Sequence, residues 1–542
     1  MDYLMIFGLL GGLGLFVYGM KLMGDGLQKV AGERLKKILE VLTSNRYLAV
    51  LVGAGVTAII QSSSATTVMT VGFVNAGLMN LFQAAGVMMG ANIGTTITAQ
   101  LLAFNLTDVA PLILAIGAAM VMFGKKKKTK DIGGIVLGFG VLFVGMEMMK
   151  DSMAPLRELE GFQNLIISIG QHPILGIFVG LAMTATVQSS SATIGILIAL
   201  ASNGAIDLTA ALPILFGDNI GTCVTALLAS IGTNKNAKRA ALIHLTFNIV
   251  GTTIFMLLMR PLLYIIPLLG GDITRQIANT HTIFNIANVV IQVPFLGFLV
   301  AFVNKIIPGK DEDENQLQLI YLDKRILETP SIAVGQVVKE VVRMQNISNK
   351  NVNRSIEAFI KQDEKIIVKI EENEEVINYL NREITSYLVA LSNAALSEYQ
   401  SDVITSLFHI INDIERIGDH AENIGELAQY RIDKDLKFSD SGLNEIKLMG
   451  STTAVSFENA VLALENFDFE AAKLVIKNEK EIDALEKKLR EVHIERLSKY
   501  ICQPASGALF LDILVNLERI GDHSNNIAQL VLEFENGLKP SL

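Results

Sequence analysis

Gln61-Ser62-Ser63-Ser64-Ala65-Thr66-Thr67 sets a glutamine and a run of hydroxyls inside an uncharged apolar segment, residues 48–77. The heptad returns as Gln188-Ser189-Ser190-Ser191-Ala192-Thr193-Ile194. A second motif follows each copy: Gly90-Ala91-Asn92-Ile93-Gly94-Thr95-Thr96, then Gly217-Asp218-Asn219-Ile220-Gly221-Thr222-Cys223. Both motifs recur at one offset, 127 residues, so this part of the chain is an internal duplication and not a chance run of polarity.

Polar side chains at bilayer depth cost several kcal/mol unless they face protein or a water-filled cavity. Three consecutive hydroxyls cannot share one side of a regular helix. The run therefore predicts a broken or re-entrant helix whose unwound backbone and hydroxyls point into a cavity. Asn92 and Asn219, each flanked by glycines, predict a second sharp turn with exposed amide N–H groups. The bland alternative is polar glue between membrane helices. Matched polar breaks in two halves are the pattern of a transporter with pseudo-symmetric repeats and a site near the midplane. Hydroxyls and amide oxygens coordinate a hard monovalent cation; hydroxyls, amide N–H groups and helix N-termini hold an oxyanion. Neither motif carries Lys or Arg, so an anion there needs a co-bound cation.

The 542 residues are 51% hydrophobic, but unevenly so. Residues 1–308 are apolar in long runs, and the remainder is rich in Glu, Lys, Asp and Asn. A net charge of −9 argues against nucleic acid as a partner. The two cysteines, Cys223 and Cys502, form no disulfide framework. Leu4–Met23 lacks a basic n-region and an A-x-A site, so it reads as a first membrane helix and not a signal peptide. Met20–Glu40 turns amphipathic and reads as an interfacial helix. Residues 47–124 suffice for three crossings, or two plus a re-entrant hairpin. Lys125–Lys128 and Lys130 form a basic loop, cytoplasmic by the positive-inside rule. Phe16–Met20 is echoed by Leu142–Met146 at an offset of 126. Lys235, Lys238 and Arg239 read as a second basic loop, before spans at Ala241–Leu258 and Ile283–Val303 separated by Pro261 and Pro267. The expected division is repeat one at 1–130, repeat two with its following spans at 131–308, a linker at 309–330, and a helical module at 331–542.

That module carries its own duplication. Asp413-Ile414-Glu415-Arg416-Ile417-Gly418-Asp419-His420-Ala421-Glu422-Asn423 is echoed by Asn516-Leu517-Glu518-Arg519-Ile520-Gly521-Asp522-His523-Ser524-Asn525-Asn526, 103 residues later. Glu374…Asn378 and Glu479…Asp483 precede the two copies. Two three-helix repeats packed as a bundle follow.

The paired heptads with their Gly-x-Asn-Ile-Gly-Thr partners resemble the type II sodium/phosphate cotransporters over roughly residues 8–305. The resemblance implies an all-α fold of two inverted repeats with re-entrant helices, sodium-coupled import of inorganic phosphate, and a multi-pass protein of the cell (inner or plasma) membrane. It places phosphate on Ser62, Ser63, Ser64, Ser189, Ser190, Ser191 and the backbone near Asn92 and Asn219. It places sodium, the coupling ion, on Gln188, Ser189, Thr222 and Thr225, with Gln61 and Thr95 as repeat mates and Asp218 as an intramembrane carboxylate. Asp218 equally suits a helix cap or a structural hydrogen bond. His244-Leu245-Thr246-Phe247-Asn248 and His281-Thr282-Ile283-Phe284-Asn285 read as packing segments.

The C-terminal module resembles PhoU, the regulatory helical protein of phosphate uptake. That resemblance implies a cytoplasmic bundle holding a divalent or iron/zinc-type metal on Glu415, Asp419, Asn423, Glu479, Asp483, Glu518, Asp522 and Asn526, and a signalling partner. Arg416 and Arg519 could instead simply pair with the neighbouring carboxylates. Three rival readings fit the same residues: a phosphate receptor without net transport, a carrier of another tetrahedral oxyanion, and an intramembrane serine hydrolase using Ser63 or Ser190 with His244 and Asp218. No Gly-x-Ser-x-Gly elbow supports the last, so the chain is expected not to be an enzyme.

Overall fold

The computed structural model describes residues 3–31, 45–104, 106–309, 317–394, 396 and 398–537. The fold is all-α, and the described residues contain no strand. The chain divides into two compact units, Met1–Asp311 and Glu312–Leu542.

The first unit opens with α1 (Tyr3–Ala31), then α2 (Arg46–Ile60), α3 (Ser63–Asn75), α4 (Leu81–Leu102) and α5 (Ala110–Phe123). It continues with α6 (Lys127–Met153), α7 (Glu160–Gln171), α8 (Pro173–Val187), α9 (Ser190–Ser202), α10 (Leu208–Gly221) and α11 (Cys223–Ala229). Helices α12 (Lys235–Leu257), α13 (Met259–Leu268), α14 (Ile273–Gln292) and α15 (Leu296–Ile306) complete it. Among the described residues, five helices are long and apolar enough to cross a membrane, or up to seven if each of two bent helix pairs is one span. Helix α2 has 15 residues and α3 has 13. At 1.5 Å per residue each reaches only about 20 Å, short of a hydrocarbon core about 30 Å thick. The heptad therefore joins two half-spans, as the hydroxyl run predicts.

Helices α1 and α6 show how the two halves are related. A Cβ on Gly12 would lie 2.8 Å from the Gly145 carbonyl, and one on Gly19 would lie 2.7 Å from that of Gly138. At the offset of 126, Gly12 and Gly138 are mates, as are Gly19 and Gly145. Each glycine thus packs against the mate of the other, and the sequence number rises along one helix as it falls along the other. Mated helices running antiparallel about a two-fold axis are inverted repeats.

Four expectations for this unit change. Helix α1 runs through to Ala31, so the polar turn after Met20 continues the first helix; residues 32–40 of the expected interfacial helix lie outside the described residues. Lys127, Lys128 and Lys130 lie in the first turns of α6, leaving only Lys125 and Lys126 in a loop. Lys235, Lys238 and Arg239 likewise belong to α12, because Asn234 caps it by accepting from the Ala237 N–H at 2.8 Å. The Arg239 guanidinium turns inward to donate to the Ile307 carbonyl, at the end of α15. Pro261 and Pro267 lie within α13 rather than in a break.

The second unit is a bundle: α16 (Pro330–Lys361), α17 (Glu364–Ser392), α18 (Glu398–Asp433), α19 (Asp440–Asn466), α20 (Phe469–Ser498) and α21 (Pro504–Gly537). Its duplication extends to single hydrogen bonds. Ser348 on α16 donates to the Ile414 carbonyl at 3.4 Å, and Thr453 on α19 donates to that of Leu517 at 3.3 Å. Between the repeats, His523 meets Asp413 at 2.8 Å while His420 meets Asn516 at 2.9 Å.

Candidate functional site

Each heptad breaks its helix in the same way. Gln61 ends α2 in the left-handed region, φ 59° and ψ 25°; Gln188 ends α8 at φ 54° and ψ 29°. That conformation costs a non-glycine residue on the order of 1 kcal/mol and persists only where the surroundings impose it. At Gln61 they do so three times over. Its backbone N–H donates to the Thr57 carbonyl at 2.7 Å, its amide donates to that of Ala58 at 2.6 Å, and Thr98 donates to its amide oxygen at 2.8 Å.

The next residue turns the break into a helix start. Ser62 accepts from the Ala65 N–H at 3.1 Å and Ser189 from the Ala192 N–H at 3.2 Å, each capping the helix it precedes. Ser63 and Ser64 then occupy the first turn of α3, and Ser190 and Ser191 that of α9. The backbone N–H groups of a first turn have no intrahelical acceptor, and the helix dipole makes that end attractive to anions. The two starts meet: the Ser64 hydroxyl donates to the Gln188 carbonyl at 3.4 Å, across 124 residues of sequence. Two capped N-termini, with their hydroxyls, therefore come to one place.

Behind each break lies a threonine bridge. Thr57 donates to Thr66 at 3.0 Å, and the Thr184 and Thr193 hydroxyls share a hydrogen bond at 2.9 Å, both fully buried. Sequence reasoning missed Thr57 and Thr184, although they recur at the same 127-residue offset. Only the second repeat adds a carboxylate: Thr184 also meets Asp218 Oδ1 at 2.6 Å, whereas Asp218 Oδ2 is buried with no partner. The mate of Asp218 is Ala91.

The Gly-x-Asn-Ile-Gly segments correct an expectation. They are not turns; they lie inside α4 and α10. Their glycines let backbones touch. A Cβ on Gly90 would fall 2.0 Å from the Val50 carbonyl, and one on Gly217 would fall 2.0 Å from that of Ile177. Gly53 and Gly180, on the facing helices, are as tightly confined. Since these backbones are helical, they offer no exposed amide nest. The Asn92 amide donates to Asn248 at 2.8 Å and its oxygen meets His244 at 3.2 Å, pinning α4 to α12. The Asn219 amide donates to the Leu215 carbonyl of its own helix. Thr95, Thr222 and Thr225 return their hydroxyls to carbonyls of their own segments. The hydrolase arrangement is not assembled, because His244 faces Asn92 and Asp218 faces Thr184.

In the bundle, Glu479, Asp483 and Asp522 bring carboxylate oxygens within 4.8 Å of one another. Burial, and then the neighbouring carboxylates, push the Glu479 carboxyl above its ordinary value. Burial also raises Glu518, to which Asp522 and Asp483 add. In the first repeat Glu374 is buried with both carboxylate oxygens unpartnered, and its carboxyl is pushed up to about 8 by burial and then by Glu422, Asp419 and Glu415. A cation set among such oxygens would relieve both effects. Arg416 pairs with Asp419 at 3.1 Å and Glu415 at 3.8 Å, and Arg519 with Asp522 at 3.5 Å and Glu518 at 3.7 Å. Asn423 and Asn526 instead donate to Asn516 and Asp413, between α18 and α21.

The model of the Na+/Pi-cotransporter family matches residues 15–151 and 156–308, more than half of the chain. The chain belongs to the Na+/Pi-cotransporter family. The PhoU domain model matches residues 341–428 and 446–531, so this cotransporter-family chain carries a PhoU domain. The chain is 25% identical over 529 residues to YjbB of Salmonella typhimurium, a protein named as a candidate for inorganic phosphate export, covering 97% of each. YjbB of Escherichia coli K12 is 26% identical over 530 residues, with the same coverage. The PhoU homolog 1 of Thermotoga maritima, named as a phosphate-specific transport accessory protein, is 30% identical over 201 residues, 36% of this chain and 85% of that one. Among solved structures, PhoU from Pseudomonas aeruginosa is 27% identical and covers 38% of this chain and 97% of its own, at a TM-score of 0.36. The chain is thus a multi-pass membrane protein of a phosphate-transport family with a PhoU domain.

Proposed function

We propose that the protein is a sodium-coupled symporter of inorganic phosphate, with phosphate held between the N-termini of α3 and α9. The observation that carries this reading is the Ser64–Gln188 contact, because it draws two capped helix starts to one point. Phosphate would accept from the first-turn N–H groups and from the hydroxyls of Ser62, Ser63, Ser64, Ser189, Ser190 and Ser191. Asn92 takes no direct part, its amide being engaged with Asn248. Sodium would offset the charge of the anion in this low-dielectric setting, with Gln188, Ser189, Thr222, Thr225 and the unpartnered Asp218 oxygen as ligands, and with Gln61 and Thr95 as their mates in the first repeat. The bundle lies on the cytoplasmic side with Lys125–Lys130, holds a divalent cation on Glu479, Asp483 and Asp522, and modulates transport through a signalling partner.

Net movement follows the sodium gradient, which runs inward in most cells, so import is the expected direction. The names of the YjbB relatives favour a second reading, outward flux. Proteoliposomes separate the two. Labelled phosphate should accumulate under an inward sodium gradient and not under a matching potassium gradient, and preloaded vesicles should lose it when the sodium gradient is reversed. Phosphate binding without accumulation would leave a receptor; loss from preloaded vesicles with no sodium dependence would favour export by another mechanism.

A further inference from the structure

In the bundle, a groove of about 900 Å³ runs along α16. Lys339, Arg343, Asn346, Lys350 and Arg354 line it, spaced by four, three, four and four residues, which places them on one helical face. At 1.5 Å per residue the row extends for roughly 22 Å. One wall is the chain entering the bundle, fixed by the fully buried Glu340, which accepts from the Ile320 N–H at 2.9 Å and the Tyr321 N–H at 2.6 Å and also pairs with Arg343. Among the described residues, no carboxylate pairs with Lys339, Lys350 or Arg354, and Glu465 is the one acidic side chain in the lining.

The second repeat supplies an internal control. The matched bonds of Ser348 and Thr453 set a register of 105 residues between α16 and α19. In that register the mates of the five groove residues are Asn444, Leu448, Ser451, Val455 and Asn459, none of them cationic. The bundle fold therefore does not require positive charge on this face, and in a chain of net charge −9 the row is not a matter of overall composition.

We propose that this groove binds a multiply phosphorylated anion, a chain of linked phosphoryl groups such as inorganic tripolyphosphate or the triphosphate of a nucleotide. A single orthophosphate would engage one or two of the cations and leave the rest of the row unpaired; a linear polyanion meets them in series. The volume lies within the range of about 300–1,000 Å³ usual for small-molecule sites. Asn346 and Asn373 add hydrogen-bonding amides, and Tyr321 offers a ring for an organic group. The proposal is independent of the membrane site.

The test is titration calorimetry on the full chain in detergent, with a chelator present and with saturating orthophosphate and sodium to fill the membrane site. Tripolyphosphate or ATP should bind under these conditions, with an affinity that falls as salt rises. Lys350→Ala/Arg354→Ala should weaken binding by about tenfold or more, and the exposed Lys339→Ala should weaken it even if the double variant fails to fold. Lys361→Ala, where the lysine pairs with Glu357 beyond the groove, should leave it unchanged. Tighter binding of ATP places an organic group against Tyr321; equal binding assigns the phosphoryl chain alone. Absence of binding, retention of full affinity by the groove variants, or binding only to vesicles of anionic lipid would overturn the proposal.

Discussion

Replacing Asp218 with alanine gives the second repeat the residue that the first carries at Ala91, and its effect can be worked out from that comparison. In the parent, one carboxylate oxygen receives the Thr184 hydroxyl at 2.6 Å and the other is buried without a partner. A hydrogen bond to a charged group returns about 1.5–3 kcal/mol, whereas removing a carboxylate from water costs several. The deficit, on the order of 2 kcal/mol, is what a bound cation would offset. The variant should leave Thr184 bridged to Thr193, as Thr57 is bridged to Thr66, so the fold should survive. In potassium, Asp218→Ala should therefore unfold at a higher temperature than the parent. In sodium the parent should gain about 2.7 kcal/mol at a concentration a hundredfold above its dissociation constant, and the variant should gain much less. Thermal unfolding of both proteins in matched sodium and potassium chloride reads this directly. An undiminished sodium-specific gain in Asp218→Ala would refute the assignment of this carboxylate to the cation.

Ser64→Ala and Ser191→Ala should each cut phosphate uptake at least about tenfold while leaving the unfolding temperature within a degree or two, since each removes a hydroxyl but no cap; uptake and unfolding measured on the same preparations check both halves of the statement. Gly180→Val should abolish the folded membrane unit, because even a Cβ there would lie 1.9 Å from the Ile214 carbonyl, and the monodisperse yield in detergent would show it. Glu374→Gln should stabilise the chelated bundle at alkaline pH. A raised carboxyl contributes stability in full below its unfolded value near 4.5, and that contribution is lost as pH rises through about 8. The parent should thus weaken between these values and the glutamine variant should not, leaving the variant on the order of 5 kcal/mol ahead near pH 9 by chemical unfolding. Added divalent cation should narrow the gap, and parallel pH profiles would contradict the argument.

The break at each heptad was legible because hydroxyls at bilayer depth have few places to go. The glycine motifs depart from the expected turns because Asn between glycines signals a turn only where the flanking chain permits one. Around Gly90 the sequence Ala84–Met89 favours helix on one side and Ile93–Leu102 continues it on the other. The signal that could have corrected the reading was the spacing of Gly90 and Gly94, four apart as in helix-packing pairs. Lys235–Arg239 reads as a loop on charge alone, whereas Asn234 immediately before it is a capping residue and marks a helix start. The contact of Asn92 with His244 and Asn248 had no local signature. It joins residues about 150 apart, and only the packing of α4 on α12 brings them together.

A chain duplicated twice permits a sharper inference than a single fold does. Features that recur between mates, such as the left-handed glutamines, the serine caps, the threonine bridges and the glycine crossings, are those that both copies need in order to fold or to hold a ligand shared between them. Features present in one copy alone cannot be demanded by the architecture, because the other copy adopts the same architecture without them. Asp218 against Ala91 is such a departure in the membrane unit, and the cationic row of α16 against the neutral face of α19 is another in the bundle. Each places charge where its mate has none, at a desolvation or repulsion cost that the fold does not recover. A ligand of opposite charge is the term that closes each balance: a cation at Asp218 and a polyanion along α16. The two sites therefore answer to different solutes, and a variant at one should leave binding at the other unchanged.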